Sequence, residues 1–449
     1  MNWREPFIYF VLYVTGSKIP RYLKQIRKYE YLSQDKITEL TNRKLEELLF
    51  HSYNNVPYYH KILEESDVVV GGQVRLENFS RIPILTKEII REEGENLYSK
   101  DYKQRRPYEN TSGGSTGEPV RFIQDKEYDE WNIATKLYFN AVLGKEMGEP
   151  EIKFWGSDRD IIKGNLTVKD RIINFLYNRK FFNSYQLNEQ KINELINLNN
   201  RFKPMGYWSY MESALELSDF LSRHKTDFHP PKIVISTIGP LSDEIRGKIE
   251  SEMKCKVYNQ YGSREVGAIA CQCREQKGLH TFPWWNYVEI LDEKNRPVEN
   301  EQEGNVVVTT LHNYSMPLIR YEIGDVAVAG GYNCNCGKNT FLLKKVLGRT
   351  LGYFKKSDGS LAHSHFIVQS LFFRDWIKRF QVIQDRIDHI VIKVELNVGV
   401  DPIQEDIEDI TAKIKILMGQ NCWVDFDFAQ SLERTPSGKY LYTICKVQS

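Results

Sequence analysis

The sequence predicts an α/β protein with a large body followed by a small α+β domain. Three observations carry this prediction. First, Lys232–Thr237 (KIVIST) is a short β-branched run with a turn at Gly239-Pro240, and so reads as a buried strand. Leu241–Met253 then has a helical pattern opened by Ser242 and Glu244, and Cys255–Tyr258 is the next strand candidate. Strand, helix, strand in that order predicts a parallel βαβ unit. Second, the chain turns β-rich from Tyr287, with VEIL, Asn305-VVVTTL and DVAVAG separated by turns. Third, the piece after Gly348-Arg349 contains a strand-like Ile390–Leu396, a helical Asp401–Leu417 and a closing strand near Trp423–Phe428.

The remaining elements follow in chain order. Phe7–Val14 is a short apolar stretch preceded by Arg4 and followed by Gly16, Ser17 and Lys18, with no small-residue cleavage site. It reads as a packed N-terminal helix. A shallow membrane-surface contact, aided by Lys18, Arg21, Lys24, Arg27 and Lys28, is the competing reading. Residues 36–64 carry Ile37, Leu40, Leu45, Leu48 and Leu49 at helical steps, and Asn55-Val-Pro57 interrupts them. Two more helical patterns lie around Glu127–Leu143 and Gln190–Asn200. No internal repeat or low-complexity segment is present.

Composition narrows the function classes. The chain has 449 residues, 41% hydrophobic and 27% charged, which suits a sizeable core rather than disorder. Lys plus Arg is 61 and Asp plus Glu is 60, a net charge of +1 that argues against nucleic acid as the main partner. No apolar run reaches the length of a spanning helix. Seven cysteines are an odd number and do not form a small disulfide scaffold, so a cytoplasmic location is the default expectation.

Five metal-type residues gather in residues 271–336. They are Cys271, Cys273, His280, Cys334 and Cys336, the last two in a Cys-x-Cys-Gly turn. Cys273, His280, Cys334 and Cys336 together make a closed tetrahedral site of structural zinc type. Cys271 is a spare, or a fourth thiolate in place of His280. Cys255, Cys422 and Cys445 read as core or incidental.

Thr111-Ser-Gly-Gly-Ser-Thr-Gly117-Glu-Pro119 is the strongest single signal. Its glycines let backbone N–H groups crowd around phosphate oxygens, and its hydroxyls add donors without bulk. It is neither a Walker A nor a GxGxxG sequence.

This loop resembles the phosphate loop of the adenylate-forming superfamily. Three further segments match in order. Asn259-Gln-Tyr-Gly-Ser-Arg-Glu265 is similar to the aromatic-Gly-x-x-Glu motif. Arg320-Tyr-Glu-Ile-Gly-Asp325 resembles the Gly-Asp motif, and Arg434-Thr-Pro-Ser-Gly-Lys439 the C-terminal lysine motif. Asn55-Val-Pro-Tyr-Tyr59, Phe154-Trp-Gly-Ser-Asp158 and Gly278-Leu-His280 are similar to the phenylacetate–CoA ligase family, and within it to members associated with capsular polysaccharide biosynthesis.

The resemblance implies an adenylate-forming fold. Residues 1–347 would be the body with the ATP, acid and zinc sites, and residues 348–449 a mobile lid carrying the catalytic lysine. It implies ATP, Mg²⁺ and coenzyme A as partners of a small carboxylic acid, with structural Zn²⁺ in the Cys/His site. The acid would join the α-phosphate of ATP, pyrophosphate would leave, and a thiol would take the acyl group. Glu265 would carry Mg²⁺. Thr111, Ser112, Gly113, Gly114, Ser115, Thr116 and Gly117 would cradle phosphate. Tyr261 and Gly262 would lie against adenine, Asp325 would hold the ribose hydroxyls, and Arg349 is the junction arginine. Lys439 would bridge the acid and the α-phosphate.

The sequence also departs from the family pattern. Val120 and Arg121 follow Pro119 where many relatives have lysine. The turn Thr237-Ile-Gly-Pro-Leu241 lacks the usual acid, and Gly352 stands near the usual hinge Asp. Arg264 precedes Glu265 where relatives have a small hydroxyl residue, and could contact phosphate.

Trp155 and Tyr207, with Trp208, Tyr210, Trp284 and Trp285, are the candidate walls of the acid pocket. The residues do not name the acid. Three functional readings remain at this point. The first is an acid–CoA ligase. The second is adenylation with transfer to a sugar amine or a carrier-protein thiol. The third is a non-catalytic nucleotide- and zinc-binding assembly protein. Pairing with a second copy is left open.

Overall fold

A computed structural model describes residues 2–30, 32–112, 120–155, 168–184, 187–237, 241–349, 353–358, 361–371, 374–430, 432 and 442–447. These residues divide into two compact units, one ending at Val346 and the other running from Leu347.

The first unit opens with four helices, α1 (Arg4–Val14), α2 (Ile19–Tyr29), α3 (Gln34–Asn55) and α4 (Pro57–Glu65). The helical pattern over 36–64 breaks at Val56, within the expected interruption Asn55-Val-Pro57. That residue is held extended (φ −113°, ψ 113°) because it precedes a proline, and Pro57 starts the next helix. A two-stranded hairpin follows, β1 (Tyr108–Thr111) against β2 (Arg121–Gln124), paired Tyr108 with Gln124 and Thr111 with Arg121. Asp125 then caps α5 (Lys126–Val142), accepting the Tyr128 amide at 2.9 Å.

An eleven-stranded sheet forms the spine of this unit. Its strands are β3 (Glu151–Trp155), β4 (Arg179–Asn183), β5 (Gly206–Tyr210), β6 (Ile233–Thr237), β7 (Lys256–Ser263), β8 (Gly267–Gln272), β9 (Leu279–Thr281), β10 (Asn286–Leu291), β11 (Glu303–Thr310), β12 (Tyr321–Gly331) and β13 (Leu342–Arg349). Across the sheet they run β10-β11-β12-β13-β9-β8-β7-β6-β5-β3-β4. Pairing is parallel from β4 through β7. From β7 onward the pairings with a defined register are antiparallel.

The helices α6 (Val168–Leu176), α7 (Glu189–Phe202), α8 (Met211–His224) and α9 (Asp243–Met253) lie between the parallel strands in the chain. The predicted βαβ unit is therefore β6–α9–β7, with Ser242 capping α9 through the Ile245 amide. Strand β7 runs five residues past the predicted end, to Ser263, because its far half pairs with β8.

Two apolar clusters are defined among the described residues of this unit. One joins α3 and α4 to β8 and β11–β12. The other packs α2 and α5 against β5, β6 and Phe282–Trp285.

The second unit has a four-stranded sheet of β14 (Ile377–Arg386), β15 (His389–Leu396), β16 (Trp423–Phe428) and β17 (Thr443–Cys445), in the order β16-β15-β14-β17. Helix α10 (Gln404–Met418) buries Ile410, Ile414 and Met418 in a core with Trp376, Phe380, Ile390 and Ile392. Trp376 Nε1 donates to Asp406 at 2.8 Å.

Candidate active site and metal centre

The β7–β8 hairpin carries Tyr261, Gly262, Arg264 and Glu265. Glu265 is buried, whereas the Arg264 side chain is exposed. Four polar side chains, three of them from Gln124 to Asn132 and distant in sequence from the turn, hold it. Gln124 donates to the carbonyls of Arg264 and Glu265 at 2.9 and 3.1 Å. The Tyr128 hydroxyl donates to the Glu265 carbonyl, and Asn286 to those of Val266 and Ala268. Asn132 accepts the Ala268 amide. Sequence reasoning missed all four, because each is an ordinary polar residue until the fold brings it to this turn.

Gly262 has a packing reason of its own. A Cβ there would lie 2.4 Å from the Gly267 carbonyl oxygen, so only glycine lets the two strands close.

Gln124 also ties the turn to the glycine-rich loop. It lies on β2 and accepts from Asn110 on β1 at 3.2 Å. At the loop base the Ser112 amide donates to the Val120 carbonyl at 2.9 Å, and the Val120 amide donates to Ser112 Oγ at 2.8 Å. Thr111 pairs with Arg121. Gly113, Gly114, Ser115, Thr116 and Gly117 lie outside the described residues.

Asp325 is on β12, after Gly324 in the left-handed region (φ 83°). The Tyr261 hydroxyl donates to Asp325 Oδ2 at 2.7 Å, so two motifs 64 positions apart meet at one point. Arg320, the first residue of the second motif, is an anchor. It is fully buried, bonds both oxygens of Glu289 at 3.2 Å, and donates to the carbonyls of Ser80 and Ile82 at 2.6 Å. Lys439 and Gly352 lie outside the described residues. Of Arg349 only its place on β13 is described.

The expected acid-pocket walls separate. Trp155 packs on Tyr210 with ring centroids 4.4 Å apart. Tyr207 lies on the opposite face of β5, because neighbouring strand residues alternate. It is buried and bonds Asn199 at 2.9 Å. Tyr207 therefore belongs to the core beneath α7 and shares no wall with Trp155. Trp284 and Trp285 are likewise core residues.

A row of side chains crosses the parallel strands below Trp155, with Phe181, Lys153 and Trp208 side by side. Lys153 Nζ lies 5.7 and 5.8 Å from the two ring centres. Burial, with Arg179 next in weight, pushes this lysine down to about 7.

The metal-type residues converge. Ligand atoms of Cys273, His280, Cys334 and Cys336 all lie within 4.8 Å of one another, a group of four donors that could hold a metal ion. Cys273 Sγ and Cys334 Sγ are 3.7 Å apart, and Cys336 Sγ lies 3.3 Å from His280 Nε2. A tetrahedral centre with Zn–S of about 2.3 Å requires sulfurs roughly 3.7 Å apart, so the donor set fits such an ion.

His280 Nδ1 is bonded to Thr340 at 2.9 Å, which orients Nε2 toward the thiols. Burial pushes this imidazole down to about 4, so it is neutral near pH 7 as a ligand must be. Cys271 pairs with His280 across β8 and β9 but sits in the apolar core, outside the four-donor group. Lys338, in the same loop as Cys334 and Cys336, forms an ion pair with Glu30 at 2.5 Å, and Asn339 donates to the Leu32 carbonyl.

Comparison with known proteins fits this geometry. A family model for the CapK C-terminal domain matches residues 355–446. Protein CapK of Staphylococcus aureus is 22% identical over 91% of this chain and 89% of its own length. A phenylacetate–coenzyme A ligase of Thermus thermophilus is 22% identical over 72% of each chain. Among solved structures, a 2-hydroxyisobutyryl-CoA ligase in the postadenylation state with R3-HIB-AMP superposes with a TM-score of 0.73. It covers 93% of this chain and 91% of its own, at 17% identity.

The fold is the adenylate-forming one. The chain is a homologue of CapK and of the phenylacetate–coenzyme A ligases. Within the adenylate-forming fold, the hairpin of Tyr261 and Glu265, the base of the glycine-rich loop and Asp325 all lie in the first unit.

Proposed function

We propose that this protein is a ligase that activates a carboxylic acid as an acyl-adenylate at the expense of ATP. The chemistry asks for little from a general base, since the carboxylate is already a nucleophile. It asks instead for two anions to be held together and for charge on the α-phosphoryl group to be balanced. In this reading Glu265 is the oxygen donor that would hold Mg²⁺ against the phosphates. The Tyr261 hydroxyl fixes the orientation of the Asp325 carboxylate, which accepts from the ribose hydroxyls. Residues 111–117 bind phosphate, Lys439 bridges acid and phosphate, and Arg264, being exposed beside Glu265, is a further phosphate contact. The four Cys/His donors hold one structural zinc.

The observation that carries the reading is the 2.7 Å bond between Tyr261 and Asp325, which brings two family motifs onto one spot. The test is acid-dependent ATP–pyrophosphate exchange across aryl, acyl, hydroxy and amino acids. No exchange with any of them, from folded protein with Mg²⁺, would replace this reading by a non-catalytic one.

The acyl acceptor has two candidates. Coenzyme A follows from the names of the ligase relatives. A sugar amine or carrier-protein thiol is the alternative that the resemblance to capsule-biosynthesis members implies, and the match to CapK spans 91% of the chain. Trapping the activated acid with hydroxylamine, with and without coenzyme A, separates the two. Turnover that rises with coenzyme A selects the first.

A further inference from the structure

The N-terminal helix leaves a feature that the adenylation reading does not use. Helix α1 turns Tyr9 and Leu12 inward onto the core of α2 and α5 and buries Ile8. Its other side carries Trp3, Phe7, Phe10 and Val14 at steps of four, three and four residues, with Tyr13 beside them. All five are exposed, Phe10 at 61% and Tyr13 at 83%. The rings form a continuous row, with Trp3 and Phe7 centroids 6.2 Å apart and Phe7 and Phe10 6.5 Å apart.

Helix α6 repeats the pattern. Val168, Ile172 and Phe175 are exposed at the same helical spacing. The Arg4 guanidinium joins the two helices, lying 4.7 Å from the Trp3 ring centre and 5.0 Å from that of Phe175. Eight of the twenty exposed large apolar side chains among the described residues therefore belong to one pair of helices. A patch of this kind on a folded protein marks a place that something covers.

The charge of the N-terminal segment that carries the patch says what covers it. Residues 1–28 hold six basic side chains and one acidic one. On α2, the face opposite the buried Ile19, Tyr22 and Ile26 exposes Arg21, Lys24, Arg27 and Lys28, and Arg171 is exposed on α6. Three acids gather on this side, since Glu146 and Glu149 both act on Glu5. Exposed aromatic side chains on a helix followed by an exposed basic helix face suit the boundary between lipid headgroups and acyl chains. A second copy of this chain would bring the same basic face against itself. No helix among the described residues is long and apolar enough to cross a membrane, so such a contact lies on the surface.

We infer that α1 and α6 form an attachment face for an anionic lipid bilayer, with Trp3, Phe7, Phe10, Tyr13 and Phe175 entering the interface and the basic side chains of α2 meeting headgroup phosphates. Attachment through one short patch is reversible and weakens with salt. The inference does not depend on the adenylation reading.

The test is co-sedimentation of the full chain with phosphatidylcholine vesicles, with and without phosphatidylglycerol, at low and high salt. Binding is expected for the anionic vesicles at low salt. Phe10→Ser with Tyr13→Ser is expected to weaken it by about tenfold or more, because two exposed aromatics lose their burial. Arg21→Gln with Lys24→Gln should weaken binding and flatten its salt dependence. Thermal melting of both variants should match the parent, since the changed side chains are exposed. Two outcomes overturn the inference. One is absence of binding to anionic vesicles, or equal binding by the Phe10→Ser, Tyr13→Ser variant. The other is a dimer in sedimentation velocity that this variant converts to monomer, which would assign the face to a second copy.

Discussion

Single residues in the site do two kinds of work, and only one kind is visible in a motif. Gly262 and Glu265 belong to the same short pattern, yet the glycine is required by the approach of β8 rather than by any ligand. Its Cβ would meet the Gly267 carbonyl at 2.4 Å. Gly262→Ala should therefore cost about 1–3 kcal/mol of stability, as overpacking does. A urea denaturation midpoint equal to that of the parent would refute the packing role. Arg320 makes the same point, since it opens the motif that ends in Asp325 but spends its charge on buried Glu289. Tyr207 shows the reverse error. Its aromatic character suggested a pocket wall, and its position on β5 places it in the core with its hydroxyl satisfied by Asn199.

At the scale of elements, the β7–β8 hairpin and the β1–β2 hairpin act as one piece because Gln124 bonds across them. The strands β8 and β9 and the loop of Cys334 and Cys336 meet at a second place, the group of four donors proposed to hold zinc. Cys336→Ser should lose the bound metal, measured by elemental analysis of the purified chain, while Cys271→Ser should retain it. Equal metal in both variants would sink the ligand assignment.

The row Phe181–Lys153–Trp208 is an electrostatic liability in the sheet. Lys153 falls from 10.5 in the unfolded chain to about 7 when folded. The native state thus pays for a buried charge at low pH. That cost is fully present below pH 7 and fades as pH rises toward 10.5. Lys153→Met is expected to raise the denaturation midpoint at pH 7 and to flatten the rise in stability between pH 7 and 10.5. A lower midpoint at pH 7 would show that the ammonium has a favourable partner.

At the scale of the molecule, the two units divide the proposed work. Unit one holds Tyr261, Glu265 and Asp325, the described residues proposed to bind nucleotide, and the chain of the second unit carries Lys439. Lys439→Ala is expected to abolish pyrophosphate exchange while leaving ATP binding within about twofold, since an ammonium that acts on the transferring group adds little to ground-state binding. Calorimetric titration with ATP and the exchange assay together check this. Unchanged exchange would remove the lysine from the mechanism. The N-terminal helices add a third region, whose aromatic face is best read against a membrane rather than against the core.

The sequence by itself determined the α/β class, the β6–α9–β7 unit, the small C-terminal α+β unit and the order of the motifs. These are local properties of periodicity, turn chemistry and short spacing, and each can be read within a few residues. The four-donor cluster was also legible, because Cys-x-Cys and Cys/His are rare enough to stand out. Tertiary structure alone decided which residues support the site. Gln124, Tyr128, Asn132 and Asn286 reach the Glu265 turn only after strands distant in sequence pair. It also decided that Cys271 packs into the apolar core while His280, its direct partner across β8 and β9, joins Cys273, Cys334 and Cys336. Finally, it decided that half of α1 faces outward. An apolar helix looks the same in sequence whether its second face meets a core or a bilayer, and only the packing of its neighbours tells the two apart.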